Sequence, residues 1–309
     1  LDDLSRIALN IIDSIPIPPT QMYLILVSEN KEQIGLAIQS FLSSQGFETH
    51  LVRLSSKMVQ GQPYLQNLVN QVVKSNSGII SLLQPEHATF LFDTFGRPDL
   101  GYIQPMKYIY NDWLMPAETI RRTMSANFTE LKEFKNRLLS RVENAREINI
   151  STTKGTNVTL YPRNWMHSEG EVFCTPFEER TCGKIFVDGC VYWGPPKRPF
   201  AIWINEGRVI NTKEIETDDL QHQNVLKDLN RDVNSNIISE LGIGINPNAL
   251  WNEHLMESEQ ARGTCHFGFG HNKNYGGTVE SKYHFDLVIQ KPTITIDNNV
   301  ICMDGVFLN

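Results

Sequence analysis

The spacing of apolar residues changes period near residue 145, and that change restricts the chain to a two-part fold. Before it, short β-rich runs alternate with helical ones. QMYLILVS (21–28) is an apolar run of strand length. NKEQIGLAIQSFLSSQG then repeats its apolar residues at helical spacing and stops at Gly46, a residue suited to a helix end. FETHLVRL is a second strand, YLQNLVNQVVKSN a second helix and SGIISLL a third strand. This order predicts parallel βαβ units. No GxGxxG follows the first strand, so nothing there supports a dinucleotide role.

Residues 84–120 read as irregular and rich in Pro, Gly and aromatics, and two helices follow. The second carries Leu131, Phe134, Leu138 and Val142 as a packing stripe. From Glu147 onward the pattern becomes short strands broken by turns, such as EINISTTKGTNVTLYP with its turn at Lys154 and Gly155. One clear helix interrupts them, at 220–235. The expected fold is therefore an α/β, Rossmann-like domain over 1–145 and a β-rich α+β domain over 146–309.

Composition narrows the function classes. The chain has 309 residues and a net charge of -7, which argues against nucleic acid as a partner. Basic residues at Arg121, Arg122 and 132–146 alternate with acids, as on a solvated helix. No apolar run approaches the roughly 20 residues that span a bilayer, so no membrane role is expected. The first residues form an amphipathic helix with a proline stop. They lack a basic n-region and a small-residue cleavage site, and do not read as a signal peptide. The five cysteines include no CxxC and suggest reduced thiols in a cytoplasm. Cys182 and Cys190 flank GKIFVDG, where a disulfide is the alternative to free thiols.

Chemistry concentrates in the last quarter. Read as a strand, SKYHFDLVI puts Tyr283, Phe285, Leu287 and Ile289 on one face and His284 with Asp286 on the other. TCHFGFG does the same, with Cys265, Phe267 and Phe269 opposite His266, Gly268 and Gly270. In SELGIGINP, Leu241, Ile243 and Ile245 oppose Glu240, Gly242 and Gly244. Glycine on the ligand-bearing face leaves room for a bound group or a close backbone. If the three faces converge, Glu240, His266, His284 and Asp286 make a nitrogen-and-oxygen site without thiolate, suited to Zn, Mn, Co or Fe(II). Read singly, each histidine is an ordinary core or surface residue. GFGHNKNYGG reads as a hairpin loop turning near 272–277, since no helix opens after its glycines.

Over about 150–308 the chain resembles the thermophilic metallo-aminopeptidases, the aminopeptidase T-like family. GEVFCTP, ELGIGINPNA, ESEQARGTCHFGFGHN, the GG and HFD pieces and PTITIDNNVICMDGVF carry the resemblance, in that order. It implies two divalent metal ions (Zn, Co or Mn) held by Glu171, Glu240, His266, His284 and Asp286. Glu259 is the nearest match to a further acidic residue of the site. The family's catalytic tyrosine would follow the first histidine. Lys273 stands at that place, with Tyr275 close by. The gap between the histidines is shorter than in the family. The same superfamily includes an iron dioxygenase that opens dihydroxypyridine rings, using the two histidines and the aspartate on one Fe(II).

Three readings follow. The first is a dinuclear hydrolase of amide or peptide bonds, with Glu259 as general base and Tyr275 donating to the oxyanion. The second is the one-iron dioxygenase, in which Glu171 and Glu240 orient the ligands. The third is a non-catalytic binder on the same scaffold. The resemblance also implies a homodimer acting on a peptide or small molecule. Among the other histidines, His271 reads as a substrate contact, His167 as a pocket residue and His254 as surface. His50, His87 and His222 read as structural or solvated.

Overall fold

The computed structural model describes residues 2–55, 63–84, 109–111, 115–192, 194–215 and 218–308. His87 and most of the stretch read as irregular lie outside them. The chain divides into two compact units, 1–126 and 127–309.

In the first unit, β1 (Met22–Ser28), β2 (Glu48–Leu54), β3 (Gly78–Leu82) and β4 (Ile109–Asn111) form one parallel sheet in the order β2-β1-β3-β4. Helices α1 (Asp3–Asp13), α2 (Glu32–Ser44), α3 (Pro63–Lys74) and α4 (Ala117–Met124) accompany it. Tyr23 to Ser28 are all buried, the continuous burial typical of a parallel strand covered on both faces. Asp2 caps α1 by accepting from the Ser5 amide at 2.7 Å.

The second unit opens with α5 (Phe128–Val142), capped by Asn127. Leu131, Leu138 and Val142 of this helix join the core of the second unit. The boundary therefore falls before the helix, whereas the change of period in the sequence put it at 145. The stripe was legible, but not the side on which it packs.

Two antiparallel sheets follow. The larger joins β5 (Ile148–Ser151), β6 (Asn157–Leu160), β9 (Cys182–Val187), β10 (Phe200–Asn205), β11 (Arg208–Asn211), β15 (Thr293–Ile296), β16 (Asn299–Met303) and β17 (Val306–Phe307). The smaller joins β7 (Pro162–His167), β8 (Glu171–Pro176), β12 (Ile238–Gly244), β13 (Thr264–Gly270) and β14 (His284–Gln290), in the order β14-β13-β12-β8-β7. Ile148, Ile150, Val158 and Leu160 of the larger sheet share one core with Leu241, Ile243, Cys265, Phe267 and Leu287 of the smaller. Strand alternation turns the other face of the smaller sheet away from that core. Helices α6 (Leu220–Leu229) and α7 (Leu255–Gln260) complete the unit.

The cysteines are free thiols, Cys182 exposed and Cys190 buried, so the disulfide alternative does not form. No helix among the described residues is long and apolar enough to cross a membrane.

Candidate metal centre

Register decides whether the three patterned segments meet. On β12, Glu240 pairs with Gly268 of β13, and Gly268 pairs with Asp286 of β14. Gly242 lies between His266 and Phe173, while Gly244 pairs with Glu171. His284 pairs with Gly270. The face opposite the core thus carries a cross-strand lattice of acids, histidines and glycines.

The glycines have a steric task. A Cβ on Gly242 would lie 2.0 Å from the His266 ring. One on Gly268 would lie 2.7 Å from the Glu240 Cβ and 2.9 Å from the Asp286 carboxylate. Any side chain there would push the ligand-bearing groups out of the plane they share.

The six polar side chains form a connected set. His266 Nε2 is 3.4 Å from Glu171 and 3.5 Å from Glu240 Oε1. His284 Nε2 is 3.5 Å from Glu240 Oε2 and 3.2 Å from Asp286. One glutamate therefore offers a different oxygen to each histidine. Glu240, His284 and Asp286 also bring one donor atom each within 4.8 Å of one another. Glu259, buried on α7, feels the charges of Asp286, His266, Glu171 and Glu240.

The ionisation pattern follows from burial and crowding. Burial lifts the Glu171 carboxyl to about 7, with Glu240 and Asp286 adding to the lift against His266. Burial, then Asp286, pushes Glu259 well above the usual carboxylate range. Burial alone would lower His266, but Glu240, Glu171 and Glu259 outweigh it and raise it to about 10. His284 follows the same balance, with Asp286 as the main opposing charge, and also reaches about 10. Burial works against the Asp286 carboxylate, yet His284 holds its pKa below the ordinary value. The Tyr275 hydroxyl is raised by burial and by the surrounding carboxylates, so it stays protonated.

Do these residues fit a cation? Four carboxylates meet on one sheltered face, and among the described residues no Lys or Arg pairs with any of them. With only the two histidines to set against four carboxylates, buried negative charge is in excess, which is costly and favours a bound metal. The donors are oxygens and imidazole nitrogens, as hard or borderline divalent ions prefer. The Nδ1 of His284 lies 2.9 Å from the His271 carbonyl, and as its donor leaves Nε2 free to ligate. Ser168 donates to Glu171 at 3.3 Å. Both supports were invisible in sequence, one being a backbone carbonyl and the other a side chain on a turn.

The structure thus brings together Glu171, Glu240, Glu259, His266, His284 and Asp286. Tyr275 joins them, its ring edge-on to His284 at 5.9 Å and to Phe173 at 5.8 Å. Lys273 points away and pairs with Glu280 at the surface. His271 contributes its carbonyl to the centre, and its ring Nδ1 accepts from the Ser281 amide at 3.4 Å. His167 is exposed at the end of an edge strand, and His254 is half-buried. His222 is a core residue, its ring nitrogen 2.8 Å from the Arg198 carbonyl. His50 is solvated beside Glu48.

Comparison with known proteins agrees with this architecture. The family model described as NicX, 2,5-dihydroxypyridine 5,6-dioxygenase, matches residues 24–309. The fold is similar to that of 2,5-dihydroxypyridine dioxygenase from Pseudomonas putida KT2440, with a TM-score of 0.66 and 14% identity over 100% of this chain and 98% of that one. It is equally similar to wild-type AmpT, aminopeptidase T, from Thermus thermophilus. That match has a TM-score of 0.67 and 10% identity over 99% of both chains. At these identities the likeness is one of fold. No curated protein sequence matches the chain.

Proposed function

The chain belongs to the NicX family, 2,5-dihydroxypyridine 5,6-dioxygenase, and from the geometry of its centre we propose a metal-dependent enzyme that takes two divalent ions and hydrolyses an amide or peptide bond. One observation carries the choice of two ions: Glu240 presents one oxygen to each histidine. Glu171, His266 and Glu240 would hold one ion, and Glu240, His284 and Asp286 the other. Four carboxylates also balance the charge of two divalent cations. When bound, such ions polarise a carbonyl and acidify water.

The chain's own groups supply the rest. Glu259 stands beside the ligands, where burial and the neighbouring carboxylates outweigh His266, and its raised proton affinity suits a general base. It would take a proton from the attacking water and pass it to the leaving amine. Tyr275, kept protonated, would donate a hydrogen bond to the oxygen on which negative charge develops. Substrates would be peptides or small amides, and the homodimer implied by the resemblance belongs to the same proposal.

The family match favours a second reading. His266, His284 and Asp286 would then hold one Fe(II), which would supply O2 activation for opening a dihydroxylated ring, with Glu171 and Glu240 orienting the ligands. Elemental analysis of protein purified without added metal or chelator separates the two. About two Zn, Mn or Co per chain, with release of p-nitroaniline from leucine p-nitroanilide, is the expected outcome. About one Fe, with O2 uptake on 2,5-dihydroxypyridine, would replace the hydrolase by the dioxygenase. A chain that takes up no metal on reconstitution would sink both.

A further inference from the structure

The loop joining β13 to β14 has to place Tyr275 against His284, yet little of it is covered. Lys273, Asn274, Gly276, Thr278 and Glu280 are exposed, while Asn272 at its base is fully buried. That asparagine uses its whole polar inventory. Its backbone amide donates to the Val279 carbonyl at 3.1 Å, and its carbonyl accepts from Gly277 at 3.0 Å. Its side-chain oxygen accepts from the Val279 amide at 2.8 Å. Its side-chain amide donates to Glu178 at 2.8 Å and to the Ser239 carbonyl at 3.0 Å. Ser239 immediately precedes Glu240.

Glu178 is the second half of the arrangement. It is buried in the turn after β8, at 5% exposure, far in sequence from the loop. Besides Asn272 it accepts from the Thr278 amide and hydroxyl, each at 3.3 Å, and from Arg163 at 2.5 Å. A buried carboxylate satisfied in this way is costly to disturb, because its partners would be left without an acceptor. Asn164, next to Arg163 on β7, donates to the Gly276 carbonyl at 2.7 Å and holds the outer end of the loop. A Cβ on Gly277 would strike the Asn272 side chain at 2.1 Å, so the chain can turn back over this pin only with glycine there.

We propose that Asn272 and Glu178 are positioning residues, a buried pin that sets the loop so that Tyr275 stands at the metal centre beside His284. The inference rests on the reading of Tyr275 as a hydrogen-bond donor in catalysis. Among the described residues none of the pin's hydrogen bonds goes to a ligand side chain, so it acts through the loop. The loop is anchored at its base, while Lys273 and Asn274 beside Tyr275 are exposed.

Hydrogen–deuterium exchange on the metal-loaded full-length protein tests the pin without reference to activity. In Glu178→Gln, amides of 272–283 should exchange at least about tenfold faster, the scale of losing a hydrogen bond to a charged group, while β12 and β13 keep wild-type protection. Unchanged loop exchange, or acceleration spread through both strands, would overturn the pin. Thr278→Val, which removes one of the hydrogen bonds and leaves the carboxylate in place, should give a smaller change in the same segment if the first variant folds poorly. A wild-type profile in Thr278→Val together with an unfolded Glu178→Gln would count against the proposal. Action through Tyr275 is read from a cycle on leucine p-nitroanilide. Glu178→Gln and Tyr275→Phe should each lower kcat with little change in KM, and the double variant should be no slower than Tyr275→Phe alone. Multiplying losses would refute positioning. Wild-type protein inactive on this amide, with the loop exchange as expected, would uphold the pin and reject the hydrolase.

Discussion

Strands β1 and β12 are buried along nearly all of their length, and they are built for opposite purposes. In β1, Tyr23 to Val27 are apolar on both faces, and the strand does nothing but fill space in a parallel sheet. In β12, Leu241 and Ile243 fill a core, while Glu240, Gly242 and Gly244 alternate with them. Burial alone does not distinguish a scaffold from a site. What distinguishes them is a face on which acids and histidines stand beside residues too small to cover them.

The largest effect that should separate the two comes from the shared carboxylate. Glu240→Gln keeps the shape and removes the charge between the histidines. Turnover should fall about a thousandfold or more, with bound metal reduced, both read on purified protein by assay and elemental analysis. A variant that keeps two ions and full activity would break the comparison. Tyr275→Phe should cost less, about tenfold to a hundredfold in kcat, with metal content unchanged.

A matched pair of glycines sharpens the contrast. A Cβ on Gly242 meets the His266 ring at 2.0 Å, and one on Gly78 meets the Tyr23 ring at 2.3 Å. Each alanine variant should cost about 1–3 kcal/mol in denaturant unfolding. Only Gly242→Ala should also weaken metal binding, by roughly tenfold to a hundredfold, as displaced ligands do. Equal metal affinity in the two variants would show that the glycine of the site is only a packing device.

A dependence on pH sharpens the contrast further. Glu171 has its carboxyl lifted by burial from an ordinary 4.5 to about 7. The folded state therefore holds that proton more tightly than the unfolded chain. The stability it contributes is complete below about 4.5 and lost as pH rises through about 7. His266 and His284, raised to about 10 by their carboxylate neighbours, act in the same direction between about 6.5 and 10. Asp286 acts oppositely, its contribution being lost as pH falls through its lowered value. Metal-free protein should thus lose Tm steadily from pH 5 to pH 9. A divalent ion displaces those protons, so its stabilising effect should grow over the same range. A metal-free Tm that rises with pH would contradict the crowding of acids described here.

Much of this was legible because alternation is a strong signal. Glu240, His266, His284 and Asp286 each sit on a strand whose opposite residues are apolar, so their common facing could be read before any fold was known. Whether the strands were neighbours could not, since register is a property of the whole sheet. The segment at 255–260 was not read as a helix. It spans six residues, too few for a periodic stripe, and its packing against the sheet holds it in place. Glu259 accordingly entered through the family resemblance alone. Strand β7 was missed for a related reason: it is an edge strand with a shift of register, and Asn164 within it has a φ of 50°. The parallel sheet declared itself through its uninterrupted apolar runs. The domain boundary did not, because a helix stripe shows that a face is covered and not by what.

Glu240 is placed to be a hinge between chemistries. With one oxygen toward each histidine, it would be a shared ligand of two ions; turned about its terminal torsion, it would serve a single side. The intrinsic torsional cost of such a rotation is only about 1 kcal/mol, so the two histidines beside it are its main restraint. A scaffold of this kind could therefore diverge between one-ion and two-ion catalysis by altering what restrains a single carboxylate.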